Sequence, residues 1–261
     1  MIIAGDARNG GVSVGVFDGA SWVARCRLAS AERSADEWTY TISGLLGARG
    51  VDLQALRHGV LSSVVPSFTP VLAEAFRRLL PAGVQPILVG PGVKTGLRIR
   101  TDNPAEVGSD LVCNAVGASA LVRPPTIVVD FGTALSFTAL DAKGDLVGVV
   151  LAPGLDAAAA ELRSRTVTLP LVRLEKPPRT IGRNTADSIR SGILVGWAGL
   201  VDRLIQEIAL ELQAPGESVS LVGTGPYESS PLELSRTFDV WDASLALAGL
   251  VRIAQRSIEL T

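Results

Sequence analysis

The stretch "IIAGDARNGGVSVGVFDG" (residues 2–19) decides how the chain begins to fold. Two apolar runs rich in valine, isoleucine and glycine stand on either side of a polar turn that contains Asp6, Asn9 and Gly10. Because β-branched residues favour strands, and Asp, Asn and Gly favour turns, this pattern predicts two antiparallel strands. The next run, "WVARCRLA" (residues 22–29), follows a second turn and extends the prediction to a three-stranded meander.

The same arrangement returns in the middle of the chain. Three runs, "TIVVDFG" (126–132), "ALSFTAL" (134–140) and "DAKGDLVGVVLAPG" (141–154), predict strands with an acidic turn after the first. Asp6 precedes Asp18 by twelve residues and Asp130 precedes Asp141 by eleven, and each second aspartate begins the next hairpin turn. The chain therefore has the pattern of a duplication.

The segments between and after these meanders alternate between helical and strand patterns. Ser34 followed by Glu37 is a capping-box signature and predicts a helix over residues 34–46. Further helical patterns predict helices at 69–80, 104–122, 185–212 and 244–259, and strand patterns predict strands at 59–65, 85–90, 218–224 and 237–242. Pro124 and Pro125 mark a seam. The predicted fold class is α/β, with two duplicated domains of mixed sheet at residues 1–120 and 121–261.

Composition argues against several classes of protein. A chain of 261 residues with 47% hydrophobic and 19% charged residues can bury one large or two small cores. Its net charge of -2 gives no basic field, so nucleic acid is not an expected partner. The longest uncharged apolar run, residues 192–201, is shorter than the ~20 residues of a membrane-spanning helix, so no membrane partner is expected.

Cysteine and histidine content limits the chemistry further. Cys26 and Cys113 lie far apart and have no metal-ligand spacing, which argues against a zinc site and a disulfide framework. His58 is the only histidine, so a Ser-His-Asp or Cys-His mechanism would have to use it. The N-terminus lacks the pattern of a secretory signal. These features together predict a protein of the reducing cytoplasm.

The two acidic turns, "DARNGG" (6–11) and "DFGTA" (130–134), have two open interpretations. A bound triphosphate needs backbone N–H donors on a tight turn and a carboxylate that can hold Mg²⁺, and both turns offer them. Ordinary hairpin turns also favour Asp, Asn and Gly, for their backbone geometry. Two such turns at matching places in a duplicated chain favour a nucleotide in a cleft between the paired sheets.

Four blocks of sequence carry a resemblance to a known family. The blocks "GPGVKTGLRIRTDNPAEVGSDLVCNAVGA" (90–118), "IVVDFGTALSF" (127–137), "LAPGL" (151–155) and "IGRNTADSIRSGILVGWAGLVD" (181–202) resemble, in order and spacing, type III pantothenate kinase of the actin and hexokinase superfamily. This resemblance implies two ribonuclease-H-like domains with a nucleotide cleft between them. It further implies ATP-dependent phosphorylation of pantothenate in coenzyme A synthesis, by a cytoplasmic homodimer that needs Mg²⁺ and a monovalent cation, K⁺ or NH₄⁺.

The resemblance also implies roles for individual residues. Asp110 matches the catalytic base, which accepts the proton of the pantothenate hydroxyl. Asp130 matches the monovalent-cation ligand, and Asp6 would meet Mg²⁺ through the phosphates. The remaining matches are the ATP contacts Asp6, Asn9, Gly10, Gly11, Gly132 and Thr133, and the substrate contacts Thr101, Gly108, Ser109, Leu111 and Thr185.

Several of these positions depart from the family's pattern. In the first turn Arg8 stands in place of a glycine, and Gly10 and Gly11 replace a threonine and an asparagine; Arg8 either adds a charge to the turn or points into solvent. On the substrate side, Thr101 replaces a tyrosine and Leu111 an arginine. These changes predict a slow kinase or one that acts on a related alcohol. The alternative is a catalytically inactive homologue that senses a ligand or binds a partner.

Overall fold

Two five-stranded sheets organise the chain. The computed structural model describes residues 1–166, 169–170, 172–212, 218–225 and 238–259. The first sheet contains β1 (Ile2–Arg8), β2 (Gly11–Phe17), β3 (Trp22–Leu28), β4 (His58–Ser63) and β5 (Ile87–Leu88). The second contains β6 (Thr126–Phe131), β7 (Ala134–Leu140), β8 (Leu146–Pro153), β9 (Ser220–Thr224) and β10 (Val240–Trp241).

Both sheets have the same topology. The strand orders are β3-β2-β1-β4-β5 and, in corresponding positions, β8-β7-β6-β9-β10. In each sheet the first strand pairs antiparallel with the second and parallel with the fourth. The predicted duplication and the predicted α/β class with mixed sheets are therefore confirmed.

The aspartates predicted to begin the second hairpin turns do so. Asp18 Oδ1 accepts hydrogen bonds from the backbone N–H groups of Ala20 and Ser21, each at 2.8 Å. Asp141 Oδ1 accepts in the same way from Lys143 at 2.9 Å and Asp145 at 3.0 Å. The backbone hydrogen bond from Ser21, followed by that from Ala20, lowers the pKa of the Asp18 carboxyl. Side chains that bond their own backbone in this way fix a tight turn.

The helices are α1 (Ala35–Gly47), α2 (Phe68–Leu79), α3 (Ser109–Ala118), α4 (Leu155–Ser164), α5 (Thr185–Leu212) and α6 (Leu245–Glu259). The capping box predicted for α1 is present, because the Ser34 hydroxyl accepts from the Glu37 backbone and the Glu37 carboxylate accepts from the Ser34 backbone. The hydrogen bonds that the Ser34 backbone N–H and then the Ser34 hydroxyl donate to the Glu37 carboxylate lower the pKa of this carboxyl.

One predicted helix begins later and ends earlier than expected. The sequence pattern predicted a helix over 104–122, but Pro104–Glu106 form only a short 3-10 turn and α3 begins at Ser109. The Asn103 side chain accepts from the Ala105 backbone and so fixes this separate turn. Val107 and Gly108 then have extended ψ angles of 119° and 139°, which interrupt the helix. Helix α4 was not predicted.

The chain divides into two compact units. The first comprises Met1–Ala120 together with Ser244–Thr261, and the second comprises Leu121–Ala243. The C-terminal helix was predicted to belong to the second domain, and this prediction was wrong. Helix α6 packs on one face of the first sheet, where Leu247, Leu250 and Ile253 join a buried cluster with Ile2, Val60 and Cys113.

Two more buried clusters complete the core, one in each unit. In the first unit, α1 and α2 cover the sheet face opposite α6, with Trp38, Ile42, Leu72 and Phe76 fully buried. In the second unit, α5 packs on β6 and β7 through Trp197, Val201 and Ile205. Among the described helices, none is both long and apolar enough to cross a membrane.

Candidate active site

The carboxyl end of β1 carries a buried aspartate. Asp6 lies opposite Ser13 on β2 and opposite Ser62 on the parallel strand β4. Asp6 and Ser62 are both buried. In open α/β sheets, ligands bind beyond the carboxyl ends of parallel strands. The end of the β1/β4 pair is therefore a candidate site in the first unit.

Helix α3 brings a second carboxylate to this end of the sheet. The hydroxyls of Ser109, in the first turn of α3, and Ser62 lie 2.9 Å apart, and Ser109 Oγ also lies 3.4 Å from the carbonyl oxygen of Ser63. These contacts tie the start of α3 to the end of β4. Asp110 follows directly, and a Cβ added to Gly108 would lie 2.6 Å from its Oδ1. Glycine at position 108 thus leaves room for the Asp110 carboxylate.

Arg8 joins the two carboxylates. Its Nε donates to Asp6 Oδ2 at 2.6 Å and lies 3.9 Å from Asp110 Oδ2. Its Nη2 donates to Asn114 Oδ1 at 3.5 Å. Of the two orientations left open by the sequence, the structure has the one in which Arg8 adds its charge to the site. Ser62 and Asn114 were not predicted as site residues, because their approach to the site depends on strand register and helix packing.

The first turn is the hairpin connection between β1 and β2. Asn9 and Gly10 connect the paired residues Arg8 and Gly11, and the Gly10 carbonyl accepts from Arg27 Nη2 at 3.2 Å. Gly11 has a φ of 145°, which a residue with a side chain would rarely adopt. Asn9 and Gly10 are exposed. The geometry is that of a hairpin turn, and the phosphate-binding role of Asn9 and Gly10 stays a prediction.

The second unit repeats the polar arrangement at the end of its own parallel strands. Asp130 lies opposite Ser136 on β7 and opposite Thr224 on β9, and all three are buried. Asp130 thus corresponds to Asp6, Ser136 to Ser13, and Thr224 to Ser62. Gly132 and Thr133 connect β6 to β7, and Thr133 is exposed.

The "LAPGL" block supports this second turn. The Gly154 backbone N–H donates to the Thr133 carbonyl at 3.1 Å. A Cβ added to Gly154 would collide with the carbonyl oxygens of Thr133 and Gly132. The glycine therefore permits a backbone contact that fixes the turn. Asp130 Oδ1 lies 3.5 Å from where a Cβ on Gly132 would sit, so the carboxylate also stands close to the turn.

The "IGRNT" block forms the start of α5. The Asn184 side chain accepts from the Asp187 backbone at 2.9 Å and donates to the Asp187 carboxylate at 2.8 Å. This reciprocal pair caps the helix. Thr185, the first residue of α5, is exposed beside the cap. Its predicted contact with substrate remains a prediction.

Comparison with known proteins identifies the family. The sequence model for type III pantothenate kinase matches residues 2–207. The chain belongs to the type III pantothenate kinase family. A type III pantothenate kinase from Dehalococcoides mccartyi is 38% identical over 255 residues, covering 97% of this chain and 95% of that protein. One from Thermobifida fusca is 37% identical over 263 residues, covering 98% and 100%.

Solved structures share the fold at low sequence identity. A candidate 2-dehydro-3-deoxygalactonokinase from Sinorhizobium meliloti is similar with a TM-score of 0.59 and 12% identity, covering 98% of this chain and 99% of that chain. Component A of the (R)-2-hydroxyglutaryl-CoA dehydratase from Acidaminococcus fermentans gives a TM-score of 0.52 and 13% identity, covering 99% and 98%. At such identities, these likenesses extend to the fold alone.

Two positions at which this chain departs from the family's pattern differ in their surroundings. Leu111 is only 9% exposed, so its side chain is largely buried in the first unit. Thr101 is half-buried, and its Oγ1 is buried without a hydrogen-bond partner among the described residues. An unsatisfied hydroxyl is costly to bury, so Thr101 offers a polar group that a ligand could satisfy. Their substrate roles stay predictions.

The residues present fit the groups that an ATP-dependent kinase needs. Mg²⁺ prefers oxygen ligands and is commonly held by phosphate oxygens together with one or two carboxylates, so Asp6 would meet a Mg²⁺ ion that arrives on the ATP phosphates, beside the Arg8 guanidinium. Within the described ranges, no group of three or more His, Cys, Asp or Glu side chains is arranged to hold a metal.

Burial raises the pKa of the Cys113 thiol well above its usual value, so Cys113 is held as a neutral thiol.

Proposed function

We propose that this protein transfers the γ-phosphoryl group of ATP to the primary hydroxyl of pantothenate. The observation that carries the proposal is the pairing of Asp6 and Asp110 at the end of β1 and β4, in a member of the type III pantothenate kinase family. Asp6, Asp110 and Asp130 are all retained. The alternative of an inactive, ligand-sensing homologue gains no support from a specific observation.

Asp110 is proposed as the general base. Its side chain is 18% exposed, so a substrate hydroxyl can reach it, whereas the Asp6 side chain is only 5% exposed. A carboxylate that accepts the hydroxyl proton late in a loose phosphoryl-transfer step contributes typically about 10²–10⁴-fold to the rate. Ser62 and Ser109 support this role, because their contact fixes the turn of α3 that carries Asp110.

The two acidic turns are proposed to contact ATP. In the first unit these contacts are Asp6, Asn9, Gly10 and Gly11, and in the second they are Gly132 and Thr133. Mg²⁺, when bound, neutralises charge on the phosphate oxygens. Asp130 is proposed to hold K⁺ or NH₄⁺, and its support is the oxygen-rich setting with Ser136 and Thr224.

The substrate contacts proposed are Thr101, Gly108, Ser109, Leu111 and Thr185. Leucine at position 111 cannot give the charged, forked donors of an arginine, so the polar end of pantothenate would be held less tightly. This supports a kinase with weak pantothenate binding or one that accepts a related alcohol without the carboxylate.

The decisive experiment measures transfer and binding separately. Formation of 4'-phosphopantothenate from ATP, Mg²⁺ and pantothenate, followed by mass spectrometry, is the expected result. The same assay with pantothenol, in which an alcohol replaces the carboxylate, tests the altered substrate. If MgATP binds by calorimetry while neither alcohol is phosphorylated, the inactive alternative is correct.

We also propose that the protein is a homodimer through α5. Gly192, Val195, Gly196 and Gly199 are exposed and recur at helical spacing along one side of this helix. A Cβ added to any of the three glycines would meet no atom within 4 Å. Small residues at such spacing let two helices approach closely. Trp197, which lies in the same segment, is buried within its own unit and does not contribute to this surface.

The dimer is tested by a bulky charge on this surface. Gly196→Arg is expected to shift the sedimenting species from two chains to one, because a charged side chain would then block close helix packing. Gly44→Arg is the matched control, since Gly44 lies on α1 and also has open space around it. A wild-type protein that sediments only as a single chain would refute the proposal.

We further propose that the enzyme acts in the cytoplasm, as the family resemblance implies. Cys26 and Cys113 are both free thiols, which is the usual state in a reducing compartment. Burial raises the pKa of the Cys26 thiol as well. Fractionation of the native cells, followed by immunodetection of the chain, tests this placement.

A further inference from the structure

Two carboxylates and one guanidinium lie together in the candidate site of the first unit. Asp6 and Asp110 bring two carboxylates to the place where the proposed function requires a triphosphate. Like charges at short range repel, so an anionic ligand would be disfavoured there unless a cation intervenes. Arg8 is a cation that the chain itself supplies.

The contacts of Arg8 fix its guanidinium at the carboxylates. Its side chain is 24% exposed and has contacts on two elements: Asp6 on β1 and both Asp110 and Asn114 on α3. A guanidinium in a charge-assisted bond at 2.6 Å is held more firmly than one in solvent. Its Nε lies within 4 Å of one oxygen from each carboxylate.

We propose that Arg8 is the resident cation of the phosphate site, which neutralises Asp6 and Asp110 and occupies the space that a divalent ion would need to bind them. This inference rests on the proposed function, because it takes the Asp6 turn as the place of the ATP phosphates. Arg8 is a positioning residue in this role. It keeps the site receptive to an anionic nucleotide before any metal arrives, and it keeps free divalent ions out.

This role predicts two effects of opposite sign. Without the guanidinium, the two carboxylates repel metal-free ATP, so the affinity for that nucleotide falls. The same two carboxylates then become available to a hard divalent ion, so the affinity for free Mn²⁺ rises. A merely structural role for Arg8 would weaken both kinds of binding together.

The experiment uses the full chain with Arg8→Gln and Arg8→Lys. ATP binding is measured by calorimetry in EDTA, and Mn²⁺ binding to the nucleotide-free protein by electron paramagnetic resonance. Arg8→Gln is expected to weaken metal-free ATP by about tenfold and to strengthen Mn²⁺ by about tenfold, each the equivalent of ~1.4 kcal/mol. Arg8→Lys, which keeps the charge, is expected to change both affinities much less.

Two further variants control this experiment. Arg49→Gln removes an exposed arginine whose Nη1 donates to the Leu45 carbonyl on α1, and it should change neither affinity. Asp6→Asn in the Arg8→Gln background should abolish the gain in Mn²⁺ binding.

The outcomes separate this inference from the proposed function. If Arg8→Gln leaves both affinities within about twofold of the wild type, or lowers both, Arg8 is not the resident cation. If the wild-type protein fails to bind even MgATP, the proposed function itself fails. The Mn²⁺ measurement on nucleotide-free protein still decides whether Arg8 keeps divalent ions from the carboxylates.

Discussion

At the scale of single residues, exposure distinguishes the two carboxylates that Arg8 joins. Asp6 is buried at the end of β1, while Asp110 stands in the first turn of α3 with part of its side chain accessible. A general base must reach the substrate hydroxyl, so accessibility favours Asp110 for this role. The buried Asp6 is better suited to a fixed ionic contact, such as its ion pair with Arg8.

Asp110→Asn is expected to lower kcat by at least about 10²-fold, because an amide cannot accept the hydroxyl proton. The melting temperature should change little, since asparagine has nearly the same volume. Asp52→Asn is the control, because Asp52 caps a 3-10 turn far along the chain and asparagine can accept the same bond from Gln54. Unchanged turnover in Asp110→Asn would assign the base to another residue.

Leu111→Arg tests whether the family's arginine can be restored at this position. Because Leu111 is largely buried, we expect the uncompensated charge to destabilise the fold by about 3–5 kcal/mol without tighter pantothenate binding. Thermal melts and calorimetry with pantothenate check this, alone and with Thr101→Tyr. Leu111→Met, which conserves volume, should cost less. A stable Leu111→Arg protein with improved pantothenate affinity would instead identify a damaged pantothenate site.

At the scale of elements, local patterns predicted strands and helices whose signals lie within the segment itself. The β1–β3 and β6–β8 meanders follow from apolar runs that end at polar turns, and α5 follows from its helical pattern. Helix α4 gave a weak signal, since Leu155 is its only buried residue and alanines fill its middle. The start of α3 was misplaced because Pro104 and Ala105 favour a helix, while the Asn103 side chain fixes a separate turn.

The candidate site could be predicted only in part. Asp6, Asp110 and Asp130 stand in recognisable blocks, so the sequence indicated them. Ser62 and Asn114 did not stand out, because Ser62 reaches the site through the β1/β4 register and Asn114 through the packing of α3. Such long-range contacts are set by tertiary structure and leave no local pattern.

Gly154→Ala tests the support of the second turn. The added methyl group would collide with the Thr133 and Gly132 carbonyls, so the turn must shift. We expect a loss of about 1–3 kcal/mol in stability and weaker MgATP binding. Gly148→Ala is the control on β8, the strand that ends directly before Gly154, because its Cβ would meet nothing within 4 Å. Equal effects of the two variants would remove the turn from the nucleotide site.

At the scale of the whole molecule, the C-terminal helix completes the unit in which the chain begins. Ile2 and Ala4 of β1 and Val60 of β4 are buried against α6, and so is Cys113 of α3. The sheet that carries the proposed site of the first unit therefore contains β1, from the start of the chain, and is covered on one face by α6, from its end. Loss of α6 would uncover apolar surface directly beneath the strand that carries Asp6.

Leu250→Ala tests this dependence. Leu250 is fully buried in the cluster between α6 and the first sheet, so its truncation is expected to cost about 2–5 kcal/mol. Hydrogen exchange read by mass spectrometry should show faster exchange in β1 and β4 and little change in β6 and β9, because the first unit alone loses the contact. Leu210→Ala, on the exposed side of α5, should leave exchange unchanged. Faster exchange confined to β6 and β9 would instead return α6 to the second domain, where the sequence alone had placed it.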